Sequence, residues 1–339
     1  MDSRERFMKA LRRDPVDRVP LFPLLMFFAA DRAGLSYREY ATNGHTLARA
    51  QLKMLDRWGL DAITVCSDAF RLPADLGGDM QYPEERTPSM SEPLVRSKAD
   101  LKKLKRPDPT AAGSRMGDRV EAVRVMAESA GDRCVIVGWV EMPFAEACSL
   151  CGVQNFMLMM YEQPGLAHKV LEWVTGIEIE FGRAQLEAGA DMIGAGDSAA
   201  SMLSPKLFGE FALPYERRVV DGIHDAGGLI KLHICGDTSR LIEQMAQAGA
   251  DLYNVDHQVK LAEAKRVYTE YGRCLKGNVN PVEEMMRSTP AKCEKLCHKC
   301  INIAGPEGYM LSAGCEVPAA TTDEVFEAFC RAPETYKGK

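Results

Sequence analysis

Short, almost wholly apolar runs alternate with longer amphipathic ones along the chain. The runs at 19–25, 62–66, 134–139, 192–197, 229–235, 252–256, 274–279 and 310–315 have the length and composition of parallel strands buried on both faces. Apolar residues recur at helical spacing over 43–58, 118–130, 166–187, 204–226, 238–248, 261–271, 290–304 and 322–331. The punctuation agrees. Pro164-Gly165 opens one helix, Ser204-Pro205 places a capping hydroxyl before a first-turn proline, and Gly189 and Gly249 follow helix ends. Eight strands alternating with helices predict an α/β fold, a single (β/α)8 TIM barrel over residues 1–339. A helical extension precedes it, and a long insertion at 70–117, rich in Pro, Arg and Glu, follows the second strand.

Composition narrows the function classes. The net charge of −6 comes with no basic tract, so nucleic acid is not an expected partner. Residues 1–14 are charged and amphipathic rather than a secretion signal, and no apolar run reaches the roughly 18 residues of a membrane span. The expected location is cytoplasmic, with no membrane contact. The 11 cysteines are scattered, which reads as reduced thiols rather than a disulfide framework.

In such a barrel the C-terminal ends of the strands build the active site. The predicted strand ends there supply Asp68, Glu141, Asp197, His233 with Cys235, Asp256 with His257, Asn278 and Cys315, whereas most strand interiors read as apolar. His233-Ile234-Cys235 carries the sharpest signal. Residues i and i+2 of a strand share a face, so imidazole and thiol point into the barrel together. Cys315 follows Gly314 at the end of the eighth predicted strand. One nitrogen and two sulfurs suit Zn2+, and three protein ligands leave a position open for substrate, the catalytic pattern. On spacing alone, a core histidine with two buried thiols remains the alternative.

Two other cysteine groups compete. Cys293, Cys297 and Cys300 have the spacing of an iron–sulfur motif, but they also form an i, i+4, i+7 stripe on a predicted helix. Cys148 and Cys151 have a redox spacing without a thioredoxin-like context. Helix packing is the expectation for both.

The segments LHICGDTSRLIEQMAQAGADLYNVDH, LKGNVNPVEEM and GYMLSAGCEVPAATTDEVFEAF resemble the uroporphyrinogen decarboxylase superfamily. Within it they are most similar to the cobamide-dependent methyltransferases of the methylcobamide:coenzyme M type, and the similarity runs over most of the chain. The resemblance implies a (β/α)8 barrel. It also implies zinc held by His233, Cys235 and Cys315, with Glu141 as a fourth ligand that yields to substrate; Glu146 is its rival. True decarboxylases lack the H-x-C and carry an arginine-rich segment where this chain has FFAADR at 27–32. On their side stands Asp68, in C-S-D, which resembles their central aspartate.

The activity this implies is transfer of a methyl group between a corrinoid (a methylcobamide, carried on a corrinoid protein docked over the barrel mouth) and a small thiol. The thiolate sulfur would attack the methyl carbon while the cobalt–carbon electron pair stays on cobalt. Glu141 and Asp68 are the candidate catalytic residues; Asp197, Asp256 and Asn278 are candidates for binding substrate or supporting the ligands. The alternatives are a decarboxylase of a porphyrinogen or other cyclic acid, and a non-catalytic corrinoid- or zinc-binding protein.

Overall fold

A computed structural model describes residues 1–338. Seven strands form one parallel sheet in the order β1 (Ala62–Thr64), β4 (Val135–Glu141), β5 (Met192–Gly196), β6 (Leu229–Ile234), β7 (Leu252–Val255), β8 (Cys274–Lys276) and β9 (Tyr309–Met310). The insertion adds the small antiparallel pair β2 (Met80–Gln81) and β3 (Ser89–Met90). Among the described residues no helix is long and apolar enough to cross a membrane.

The stave expected at 19–25 closes the ring without becoming a regular strand. Leu311 N donates to Pro20 O at 2.8 Å and Phe22 N to Leu311 O at 3.1 Å, while Asp61 N donates to Leu21 O at 3.0 Å on the other side. Pro20 and Pro23 have no N–H to give, so the ladder is reduced to isolated bridges. The last strand is likewise shorter than expected, and single bridges at Ala313 and Glu316 continue it. The helix expected over 204–226 breaks at Ala212 into Pro205–Phe211 and Leu213–Asp225, because Pro214 cannot continue the first hydrogen-bond ladder. The one expected over 238–248 is only Ile242–Ala246.

Alternate residues of each strand face inward and outward. Outward residues such as Ile136, Ile193, Ile230 and Leu275 join the large core beneath the helices. Inward residues Ala62, Val137, Met192, Leu252 and Cys274 form a separate apolar floor with Phe7 and Phe22. The N-terminal helix Ser3–Leu11 thus plugs the bore from below. Asp61, fully buried, fixes this plug: it accepts from Arg6 Nη1 (2.7 Å), Arg18 Nη1 (2.9 Å) and Leu21 N (2.7 Å).

Above the floor the bore is not apolar, contrary to the sequence expectation. Lys231, Asn254 and Lys276 are fully buried there, and the two ammonium groups lie over aromatic faces, Lys231 on Trp139 (4.3 Å) and Lys276 on Phe22 (3.6 Å). Burial lowers the pKa of Lys231 to about 8 and holds that of Lys276 well below the usual lysine value.

Candidate metal centre

Strand β6 carries Lys231 and His233 on its inner face, and Cys235 follows in the same phase one step beyond its end. His233 Nε2 lies 3.0 Å from Cys235 Sγ, and Cys235 Sγ lies 3.6 Å from Cys315 Sγ. The three donor atoms fall within 4.8 Å of one another, the only such group of three or more His, Cys, Asp or Glu among the described residues. The sulfur separation is far from that of a disulfide and close to the edge, about 3.8 Å, of a tetrahedron with Zn–S bonds of about 2.3 Å.

The backbone explains the convergence. Gly236 takes φ +87°, turning the chain sharply after Cys235, and its N–H donates to Asp256 Oδ2 at 3.0 Å. Gly314 lies so close to the loop after β7 that a Cβ there would sit 2.4 Å from His257 N. This close approach brings Cys315 to the β6 pair.

His233 Nδ1 lies 3.0 Å from Asn254 O, so Nδ1 carries the proton and the Nε2 lone pair faces the sulfurs. The two sulfur atoms are close enough to couple their titrations. A hydrogen bond from Cys235 holds Cys315 well below the usual thiol range, and the same bond raises Cys235. One imidazole lone pair beside a thiol–thiolate pair is a donor set that fits zinc.

Glu141, at the end of β4, stands outside this group. Its Oε1 accepts from Arg71 Nη2 at 2.7 Å and from Trp139 Nε1 at 3.0 Å. Burial raises its pKa, and Arg71 opposes the rise. Its rival Glu146 is buried beside Glu178, away from hydrogen-bond donors at Oε1, and burial raises both carboxyls.

Asp68 is buried at the rim, where Oδ2 accepts from Arg115 (2.6 Å) and Ser67 (2.7 Å) and Oδ1 from Phe70 N (2.9 Å). Burial alone would raise its pKa, but Arg115 and Arg71 hold it at about 2. Asp256 and Asn278 serve as pins for the loops. Asp256 also accepts from Gln258 N, and Asn278 Nδ2 donates to Asp256 O (3.0 Å) and Val259 O (2.7 Å). Asp197 is one residue out of phase with the inward Gly194 and Gly196. It is fully buried in the helical layer beside Glu216, and burial raises its pKa to about 7. The structure therefore brings His233, Cys235 and Cys315 together, sets Glu141 and Asp68 near the rim in arginine pairs, and places Asp197, Asp256 and Asn278 in the scaffold.

Arg71 and Arg115 carry no motif or periodicity that marks them in the sequence. Both come from the insertion, whose short helix Arg71–Asp75 packs at the rim and whose Asp75 accepts from Arg115 N (2.6 Å) and Met116 N (2.9 Å). Cys293, Cys297 and Cys300 lie buried along the helix Pro290–Ala304, as the stripe reading predicts, and Cys148 and Cys151 are buried in Pro143–Cys151.

A parallel, helix-wrapped barrel with its polar groups at the C-terminal rim is an enzyme scaffold of the α/β class. The chain matches the uroporphyrinogen decarboxylase (URO-D) family over residues 2–336, and it belongs to that family. It is 31% identical over 295 residues to a uroporphyrinogen decarboxylase of Cupriavidus necator (82% of this chain, 80% of the relative). To that of Nocardia farcinica it is 33% identical over 256 residues (74% and 70%). Among solved structures, a methyltransferase from Methanosarcina mazei superposes with a TM-score of 0.89 over 98% of both chains at 24% identity, which is a likeness of fold. A B12-independent methionine synthase from a Shewanella species gives 0.59 at 12% identity over 86% of this chain and 85% of its own.

Proposed function

We propose that this member of the URO-D superfamily is a zinc-dependent methyltransferase that moves a methyl group between a corrinoid, carried on a corrinoid protein, and a small thiol. The observation that carries the reading is the convergence of His233, Cys235 and Cys315 within 4.8 Å at the barrel rim. Zinc bound by these residues would lower the pKa of a substrate thiol and keep its sulfur nucleophilic at neutral pH. The chain's own groups prepare the position. The Asn254 carbonyl fixes the histidine tautomer, Gly236 and Gly314 bring the two sulfurs together, and Trp139 and Arg71 hold Glu141 at the edge of the site. Two thiolates balance the dication, so a third can bind without leaving the centre strongly charged.

The relatives' names support a second reading, decarboxylation of a porphyrinogen or another cyclic acid, and Asp68 stands at the rim for it. Against it, both rim arginines described above are already engaged: Arg71 with Glu141 and Arg115 with Asp68. A substrate with several carboxylates would have to break those pairs. The zinc-loaded protein should demethylate methylcobalamin in the presence of a thiol, followed by the loss of its absorbance, and should leave uroporphyrinogen unchanged. Turnover of uroporphyrinogen with no thiol-dependent demethylation would replace this reading with the second.

A further inference from the structure

Two donors meet on one oxygen of Glu141. Arg71 Nη2 and Trp139 Nε1 both donate to Oε1, while Oε2 accepts no hydrogen bond among the described residues. Oε2 lies over Gly196, 3.1 Å from where a Cβ would stand. Gly196 pairs with Glu141 on one side and with His233 on the other. The free oxygen therefore lies, with the Trp139 ring, over a residue that has no side chain and that separates Glu141 from the ligand strand.

Arg71 cannot follow Glu141 if it moves. It is only 3% exposed, and its Nη1 is bound to the carbonyl of Asp68. Asp68 is itself anchored by Arg115, Ser67 and the Phe70 N–H. The insertion thus supplies a rigid clamp on one oxygen of one carboxylate.

Accepting the zinc reading above, we propose that Arg71 is a positioning residue that makes Glu141 an exchangeable ligand. With Oε1 held, Oε2 is the oxygen that Glu141 would offer to a metal. The two donors withdraw charge from the carboxylate and weaken it as a ligand. When a thiolate takes the position, the released carboxylate stays paired with Arg71 and no buried charge is orphaned. Without Arg71 only the Trp139 Nε1 donor remains on Oε1 and the carboxylate loses its ion-pair partner, so it binds more firmly and yields less readily.

The test uses the full-length protein loaded with Co2+ in place of zinc, titrated with 2-mercaptoethanol while the sulfur-to-cobalt charge-transfer absorption is read. Arg71→Met should bind the same amount of cobalt yet need about tenfold more thiol for half-saturation. Trp139→Phe, which leaves the buried ion pair intact, should shift the same way by less. Glu141→Gln should need less thiol than the wild type, and adding Arg71→Met to it should change nothing further. Unchanged half-saturation in Arg71→Met would overturn the proposal. So would a shift that persists in the double variant, and if Arg71→Met does not fold, an unshifted Trp139→Phe decides against it. A wild-type protein that binds no cobalt at all would instead refute the metal site itself.

Discussion

The ring Nδ1 of His233 lies 3.0 Å from the carbonyl oxygen of Asn254 on the neighbouring strand β7. This one contact, backbone to side chain, presents Nε2 to Cys235 and Cys315 and cannot be removed by a side-chain change at Asn254. Replacing the imidazole itself is informative. His233→Gln should reduce zinc affinity by at least about tenfold with little change in the thermal midpoint, as competition with a chromophoric chelator would measure. Affinity equal to that of the wild type would remove His233 from the ligand set.

Gly314 offers a second test, because it acts only through the backbone. A Cβ at this position would meet His257 N at 2.4 Å and Asp256 C at 3.1 Å, so Gly314→Ala must push the Cys315 loop away from β7. Zinc binding should weaken although all three ligands are present, and isothermal titration would detect it. Unaltered binding would mean that the two loops are free to separate.

The barrel floor makes its own prediction. Asp61 binds Arg6, Arg18 and the Leu21 N–H from a fully buried position. Asp61→Ala leaves two guanidinium groups without their buried partner and should cost about 3–5 kcal/mol. The midpoint of urea denaturation reports this. A loss below about 1 kcal/mol would show that the N-terminal plug contributes little.

Asp197 and Glu216 predict a pH dependence. Burial raises Asp197 from 3.8 to about 7 and raises Glu216 well above its usual value. Between pH 4 and 7 the unfolded chain sheds these protons while the folded one keeps them. Stability therefore falls as pH rises through that window, by up to about 1.4 kcal/mol per pH unit for one group. Glu216→Gln replaces one acid by an amide that can donate to Asp197, so its urea midpoints at pH 5 and pH 8 should lie closer together than those of the wild type. An equal or larger gap would contradict the pairing.

Legibility differed by the kind of signal. The inner-face parity of His233 and Cys235 is visible wherever the strand is, since a period of two needs no tertiary information. The barrel followed from the same alternation, and only Pro20 and Pro23 blurred its closing stave. Asp197 misled because it ends an apolar run like the others, yet it is one residue out of phase with Gly196 and faces the helices. Lys231 and Lys276 were passed over because single lysines in apolar runs leave the period of the strand unchanged, and only closure of the barrel buries them together. Arg71 and Arg115 had no comparable mark. They lie in an insertion without periodicity, and only packing brings them to Glu141 and Asp68.

The central claim is that His233, Cys235 and Cys315 hold one zinc ion at a site whose remaining position takes substrate thiol. Metal analysis of the purified wild type beside Cys315→Ala, both first stripped with chelator and then dialysed against equimolar zinc, tests it most directly. Close to one zinc per wild-type chain is expected and far less in the variant, whose remaining pair cannot complete the site. Equal zinc in both proteins, or none in the wild type, would contradict it.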